Sequence, residues 1–207
     1  AYGWVLDKPV ISKFQDERIR SFVLTHQHAD RTVGSASWLV CSADGAAEGS
    51  PLLVGSKIHL LNLQPGSGYL DTFEWVTLLQ PFKDYAPAMQ MGVFTTSAAK
   101  RDGGLTGTWT VHSAAGKPVG ATLFEEDTIY LENGFQYAIN GNVQTDFLYA
   151  YGDATSHPLF QNKDGQQQFV FTSPHEQQAG GSRNWKVSLS NLLENLYQVQ
   201  SRWGAEN

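Results

Sequence analysis

Three short apolar runs read as strands: Phe22-Val23-Leu24-Thr25, Val93-Phe94-Thr95-Thr96 and Phe169-Val170-Phe171-Thr172. Each leads through a polar turn into a second run that opens on tryptophan: Trp38-Leu39-Val40, Trp109-Thr110-Val111 and Trp185-Lys186-Val187. The Thr-to-Trp spacing is 13 residues each time, and each turn carries glycine ahead of the tryptophan (Gly34; Gly103, Gly104 and Gly107; Gly180 and Gly181). One spacing met three times marks an internal repeat. The first two copies stay aligned further: Gly45 with Gly116, Gly49 with Gly120, Leu52 with Leu123, and the strand 57–62 with the strand 128–133. A fourth strand follows at Gly68-Tyr69-Leu70-Asp71 and at Asp146-Phe147-Leu148-Tyr149, and Gly3-Trp4-Val5-Leu6-Asp7 reads as its third member.

Four strands in each of three copies predicts an all-β chain of about twelve short strands, with the three tryptophans and their valine neighbours facing inward. The segments from Phe73 to Gln90 and from Phe135 to Thr145 are predicted as long surface loops, the places where such scaffolds carry function. The third copy runs out of chain. Its apolar positions Leu189, Leu192, Leu193, Leu196, Val199 and Trp203 suit either a closing strand around Leu196 to Val199 or a short capping helix. The strand is favoured because the repeat needs it.

Three four-strand units resemble the β-trefoil fold superfamily, lectin-like members included. No individual family is identified, because Ser37, Thr108 and Asn184 precede the tryptophans where ricin-type lectins carry a Gln-x-Trp signature. The resemblance implies a six-strand barrel capped by three hairpins, an arrangement that leaves few free edges. It also implies non-catalytic binding, since β-trefoils include many lectins and the receptor-binding domains of toxins. A single domain over residues 1–204 is expected, with 205–207 read as an expression-tag remnant.

Charge changes the picture of partners. Only 16% of residues are charged, the net charge is −6, and no basic run supplies the clustered Lys and Arg that nucleic acid requires. No stretch approaches the ~18–20 apolar residues of a membrane-spanning helix, so none is expected. Cys41 is the one cysteine, so no intramolecular disulfide forms, and secreted and cytoplasmic settings both fit. No glycine-rich loop between a strand and a helix prepares a phosphate site, and no cofactor is expected.

The most pointed local motif is Thr25-His26-Gln27-His28-Ala29-Asp30. It resembles the His-x-His-x-Asp-His zinc motif of the metallo-β-lactamase fold, which implies a metal-dependent hydrolase acting through His26 and His28. Arg31 stands at the family's last histidine, and the segment aligns with turns of the other two copies, so a solvated turn is the preferred reading. Cys41 could act as a nucleophile with His112 or His59 as base, but it occupies the place of His112 in the next copy and reads as a structural thiol. Glu125, Glu126 and Asp127 read as a turn.

The diffuse signal is aromatic. Tyr69 with Asp71 and Asn62, and Tyr149 with Asp146 and Asn133, pair a ring with polar groups as sugar recognition requires. Trp4, Trp75, Tyr85 and Tyr137 add further rings. The leading expectation is therefore a non-enzymatic carbohydrate-binding module for a glycan or glycoprotein, in which duplicated weak sites gain avidity. The alternative is a protease inhibitor that presents one of the two long segments to a protease or other protein.

Overall fold

A computed structural model describes residues 3–5, 18–25, 34–79, 82–84, 90–158, 167–174 and 183–188. His26, His28, Arg31, Tyr85, Pro87 and the segment 189–207 lie outside them. The strands are β1 (Gly3–Val5), β2 (Ile19–Thr25), β3 (Trp38–Ser42), β4 (Lys57–Asn62), β5 (Tyr69–Trp75), β6 (Met91–Thr96), β7 (Trp109–Ser113), β8 (Thr128–Ile139), β9 (Asn142–Tyr151), β10 (Phe169–Ser173) and β11 (Trp185–Lys186). A 3-10 turn, Val76–Leu78, follows β5.

Every pairing among the described residues is antiparallel. β2 pairs β6, and the ladder continues through β5, β4, β7, β8, β9 and β10 back to β2. This is a closed eight-strand barrel, with β1 attached to β2, β3 to β4 and β11 to β8. The all-β expectation therefore stands, and the β-trefoil expectation does not. A trefoil would show six strands in the barrel and three separate caps, whereas here β8 and β9 stay paired well past the barrel wall, as far as Ile139 and Asn142. Within the described residues the third unit shows only β10, the two-residue β11 and the three-residue β1, so three equal four-strand repeats are not present.

Two of the units do share detailed geometry. Trp38 lies opposite Asn62, and Trp109 lies opposite Asn133. Each asparagine amide donates to the loop ahead of its tryptophan, Asn62 to the Ser35 carbonyl and Asn133 to the Thr106 carbonyl, at 3.0 and 2.9 Å. Each asparagine oxygen accepts the backbone N–H two residues on, from Gln64 and Phe135. The Trp109 and Trp185 indoles donate to the equivalent carbonyls of Leu70 and Leu148.

The core has two layers because β2, β6 and β10 are buried on both faces. Val23, Val93 and Val170 join Ile58, Leu70, Trp109, Val111, Leu131 and Leu148 in one layer. Phe22, Phe94, Phe169 and Phe171 form the other, beneath Val76, Leu79 and Phe82. Phe22 and Phe82 stack with centroids 4.5 Å apart. These layers set the true correspondence of the copies: Val93, not Phe94, matches Val23 and Val170. The second copy is one residue out of the register that the equal Thr-to-Trp spacing predicts. Trp109 is fully buried as expected, while Trp38 and Trp185 are half-buried against the same layer and Val40 is exposed.

Candidate functional site

The two related units part company after their second strand. In the first, β4 returns to β5 through the short turn 63–68; in the second, β8 runs on for twelve residues. The sequence explains the extension. Phe135-Gln136-Tyr137-Ala138-Ile139 alternates, and Asn140-Gly141 supplies the two positive φ values, 51° and 80°, that a two-residue type I′ turn demands. The predicted loop from Phe135 to Thr145 is thus a protruding β-hairpin, with Tyr137 opposite Gln144 and Ile139 opposite Asn142.

Alternation gathers Phe135, Tyr137, Ile139, Asn142 and Gln144 on one face of this hairpin. Trp75 completes the face from the neighbouring strand. Between Phe73 and Trp75 the β5–β6 register slips, leaving Glu74 at a φ of 53°. Such a bulge re-aims the following side chain. Here it brings the Trp75 indole edge-on to Tyr137, with centroids 5.0 Å apart at 88°. Phe135 lies on the other side of Tyr137, 6.3 Å away at 27°. All three rings are half-buried, so each is fixed by packing and still offers surface.

The electrostatics of this ledge are uneven. Residues 133–147 contain no Lys or Arg, and the carboxylates are Asp146 within the hairpin and Glu74 beside it. Asp146 is buried; its carboxylate accepts the Tyr137 hydroxyl at 2.7 Å and the Thr172 hydroxyl at 2.5 Å. Burial, and then the Asp146 carboxylate, push the Tyr137 phenol well above its ordinary range, so it stays neutral. The side-chain amides of Asn142 and Gln144 make no hydrogen bond among the described residues.

The sugar-binding residues expected from sequence occupy other places. Asn62 and Asn133 are buried and hold the loops ahead of the tryptophans. Asp71 is buried, accepting Arg101 Nε at 2.9 Å, the Thr96 hydroxyl at 3.1 Å and the Thr72 N–H at 2.7 Å. Tyr149 is buried, with its ring beside Tyr151, and Tyr69 is half-buried with its ring edge toward His59. The register sets Tyr69 level with Phe147 and Asp71 level with Tyr149, so the two ring–carboxylate groups do not coincide in space. Asp146 alone among these residues reaches the ledge.

The other candidates are accounted for separately. Cys41 lies opposite His59, and burial raises its thiol pKa. His112 is held by Glu132 at 2.7 Å and stacks on Tyr130 with centroids 4.8 Å apart. Glu125 and Glu126 are exposed and Asp127 bonds Lys117, as a turn requires. No helix among the described residues is long and apolar enough to cross a membrane.

No protein-family model and no curated protein matches the chain. Solved structures do. A Caenorhabditis elegans protein of unknown function aligns over 90% of this chain and 85% of its own, at 17% identity and a TM-score of 0.56. The SDF2-like protein of Arabidopsis thaliana aligns over 90% and 84%, at 12% identity and a TM-score of 0.55. The Saccharomyces cerevisiae protein O-mannosyltransferase Pmt1–Pmt2 complex bound to the sugar donor aligns over 90% of this chain and 26% of its own, at 10% identity and a TM-score of 0.45. At these identities the likeness of the first two is one of fold. The lectin-like and toxin-related expectations came with the trefoil and fall with it.

Proposed function

We propose that the chain is a non-catalytic binding protein that takes a neutral carbohydrate on the β8–β9 ledge. The observation that supports this most is the composition of one hairpin face: three half-exposed rings, two uncommitted amides and no cation. A sugar ring offers an apolar C–H face and a rim of hydroxyls. Rigid aromatics answer the first and amide groups the second, while an anionic ligand finds no Lys or Arg among hairpin residues 133–147. The rings are preorganised by edge and face contacts, so little side-chain freedom is lost on binding.

A glycan array tests the proposal. Signal is expected with the native chain, and its loss with Trp75→Ala and Tyr137→Ala proteins that keep the native far-UV spectrum. A blank array, or undiminished signal in both variants, overturns it. A second reading, binding of a protease or other protein, draws on the exposed Val143 next to the rigid Asn140-Gly141 turn. Inhibition of a serine or cysteine protease that is lost in Val143→Asp would favour it.

A further inference from the structure

We infer that Cys41 and His59 form a two-coordinate site for a soft monovalent metal ion, Cu(I) by chemistry. The two residues lie directly opposite on β3 and β4, so their side chains share a face with Cβ atoms about 4.5–5.5 Å apart. The equivalent pair in the second unit, His112 and Tyr130, shows that side chains at these positions meet: their rings stack at 4.8 Å.

The His59 ring is set up as a ligand. It is 4% exposed, and its Nδ1 lies 2.8 Å from the Gly107 carbonyl oxygen. A carbonyl can only accept, so Nδ1 carries the hydrogen and Nε2 keeps its lone pair. That Nε2 is buried and has no hydrogen-bond partner among the described residues. A histidine whose second nitrogen donates to a backbone carbonyl is the arrangement that fixes tautomer and orientation at metal centres. Gly107 leads into β7, which pairs one edge of β4 at Lys57 and Ile58, while β3 pairs the other edge. Nδ1 is thus held toward the β7 edge of β4, and Cys41 stands across the other edge.

The thiol fits the partner role. Cys41 is half-exposed, so an ion reaches it from solvent, and its S–H makes only a 4.0 Å contact with the Leu39 carbonyl. Binding exchanges the thiol proton for the metal: the S–H bond breaks, an S–metal bond forms, the proton passes to solvent, and His59 Nε2 completes the pair. Nothing is oxidised or reduced. Bonds as long as those of zinc to sulfur and nitrogen, about 2.3 and 2.0 Å, span about 4.3 Å when collinear, within reach of two opposed side chains. Among the described residues no group of three or more His, Cys, Asp and Glu side chains is arranged around a metal. The pair itself offers one soft thiolate and one borderline imidazole, two donors rather than the four of tetrahedral zinc, which suits Cu(I).

Ag(I), added as the nitrate in chloride-free buffer, is the probe. One ion per chain is expected, with release of one proton, loss of the titratable thiol, and a shift of the His59 Nε2 resonance. Cys41→Ser should abolish binding and His59→Gln should weaken it at least tenfold. Equal affinity in His59→Gln overturns the site, because the thiol then acts alone. Should that variant not fold, the native protein decides: an unmoved His59 nitrogen at saturating Ag(I) overturns it equally.

Discussion

Replacing Arg101 by methionine is expected to cost more than removing any surface charge. Arg101 and Asp71 have side chains only 3% and 0% exposed, joined Nε to Oδ2 at 2.9 Å. The same guanidinium donates to the Thr72 carbonyl at 2.5 Å and lies 5.3 Å from the centroid of the Phe73 ring. Methionine keeps much of the packing volume but leaves the Asp71 carboxylate buried with only the Thr96 hydroxyl and the Thr72 N–H. Breaking a buried pair from one side costs about 3–5 kcal/mol, against about 5–15 kcal/mol for the stability of a whole domain. In a chain of this length that lowers Tm by about 6–20 °C. Urea unfolding of the native protein, Arg101→Met, Asp71→Asn and the double variant measures it. The double variant should recover part of the loss, since both charges are then gone. A loss below about 1 kcal/mol in Arg101→Met would refute the reasoning, placing the pair among exposed ion pairs.

Three further outcomes follow from the same geometry. Gly68→Ala would set a Cβ 2.0 Å from the Thr96 carbonyl oxygen, so the β5–β6 start must shift, with an expected loss of about 1–3 kcal/mol or more by chemical denaturation. Asp44, Asp127 and Asp153 are held below the usual carboxylate range, chiefly by the Ser42 hydroxyl, the Lys117 ammonium and the Thr155 hydroxyl respectively. Depressed folded-state values add stability above the unfolded carboxylate range that is lost as pH falls through them. Tm should therefore decline below about pH 4, less steeply in Asp127→Asn. Asp146→Asn should let Tyr137 ionise at lower pH than in the native protein, read by ultraviolet titration of the phenolate; an unchanged curve would contradict the assigned hydrogen bond.

The strands were legible where local pattern decides them. Apolar runs and the tryptophan spacing locate β2, β3, β6, β7, β10 and β11, and the alternating Lys57 and Thr128 strands appear as β4 and β8. The barrel was not legible, because closure depends on which distant edges pair. Equal spacing also concealed the one-residue shift of the second copy, which only the facing of Val93 and Phe94 reveals. The ledge is legible in the sequence despite the loop expected from Phe135 to Thr145: Asn140-Gly141 between alternating segments is a strong hairpin signal. Trp75's aim is not, since it hangs on the bulge at Glu74. Nor is the Asp71–Arg101 pair, whose members are 30 residues apart in sequence.

The ledge as a carbohydrate surface is tested most directly by NMR of side-chain N–H groups during titration with neutral oligosaccharides. The Trp75 indole and the Asn142 and Gln144 amides should shift together and saturate at one ligand concentration. The Trp109 and Trp185 indoles, tied to the Leu70 and Leu148 carbonyls, should stay in place. Silence at Trp75, Asn142 and Gln144 while the protein binds sugar elsewhere, or binds none, would contradict the account.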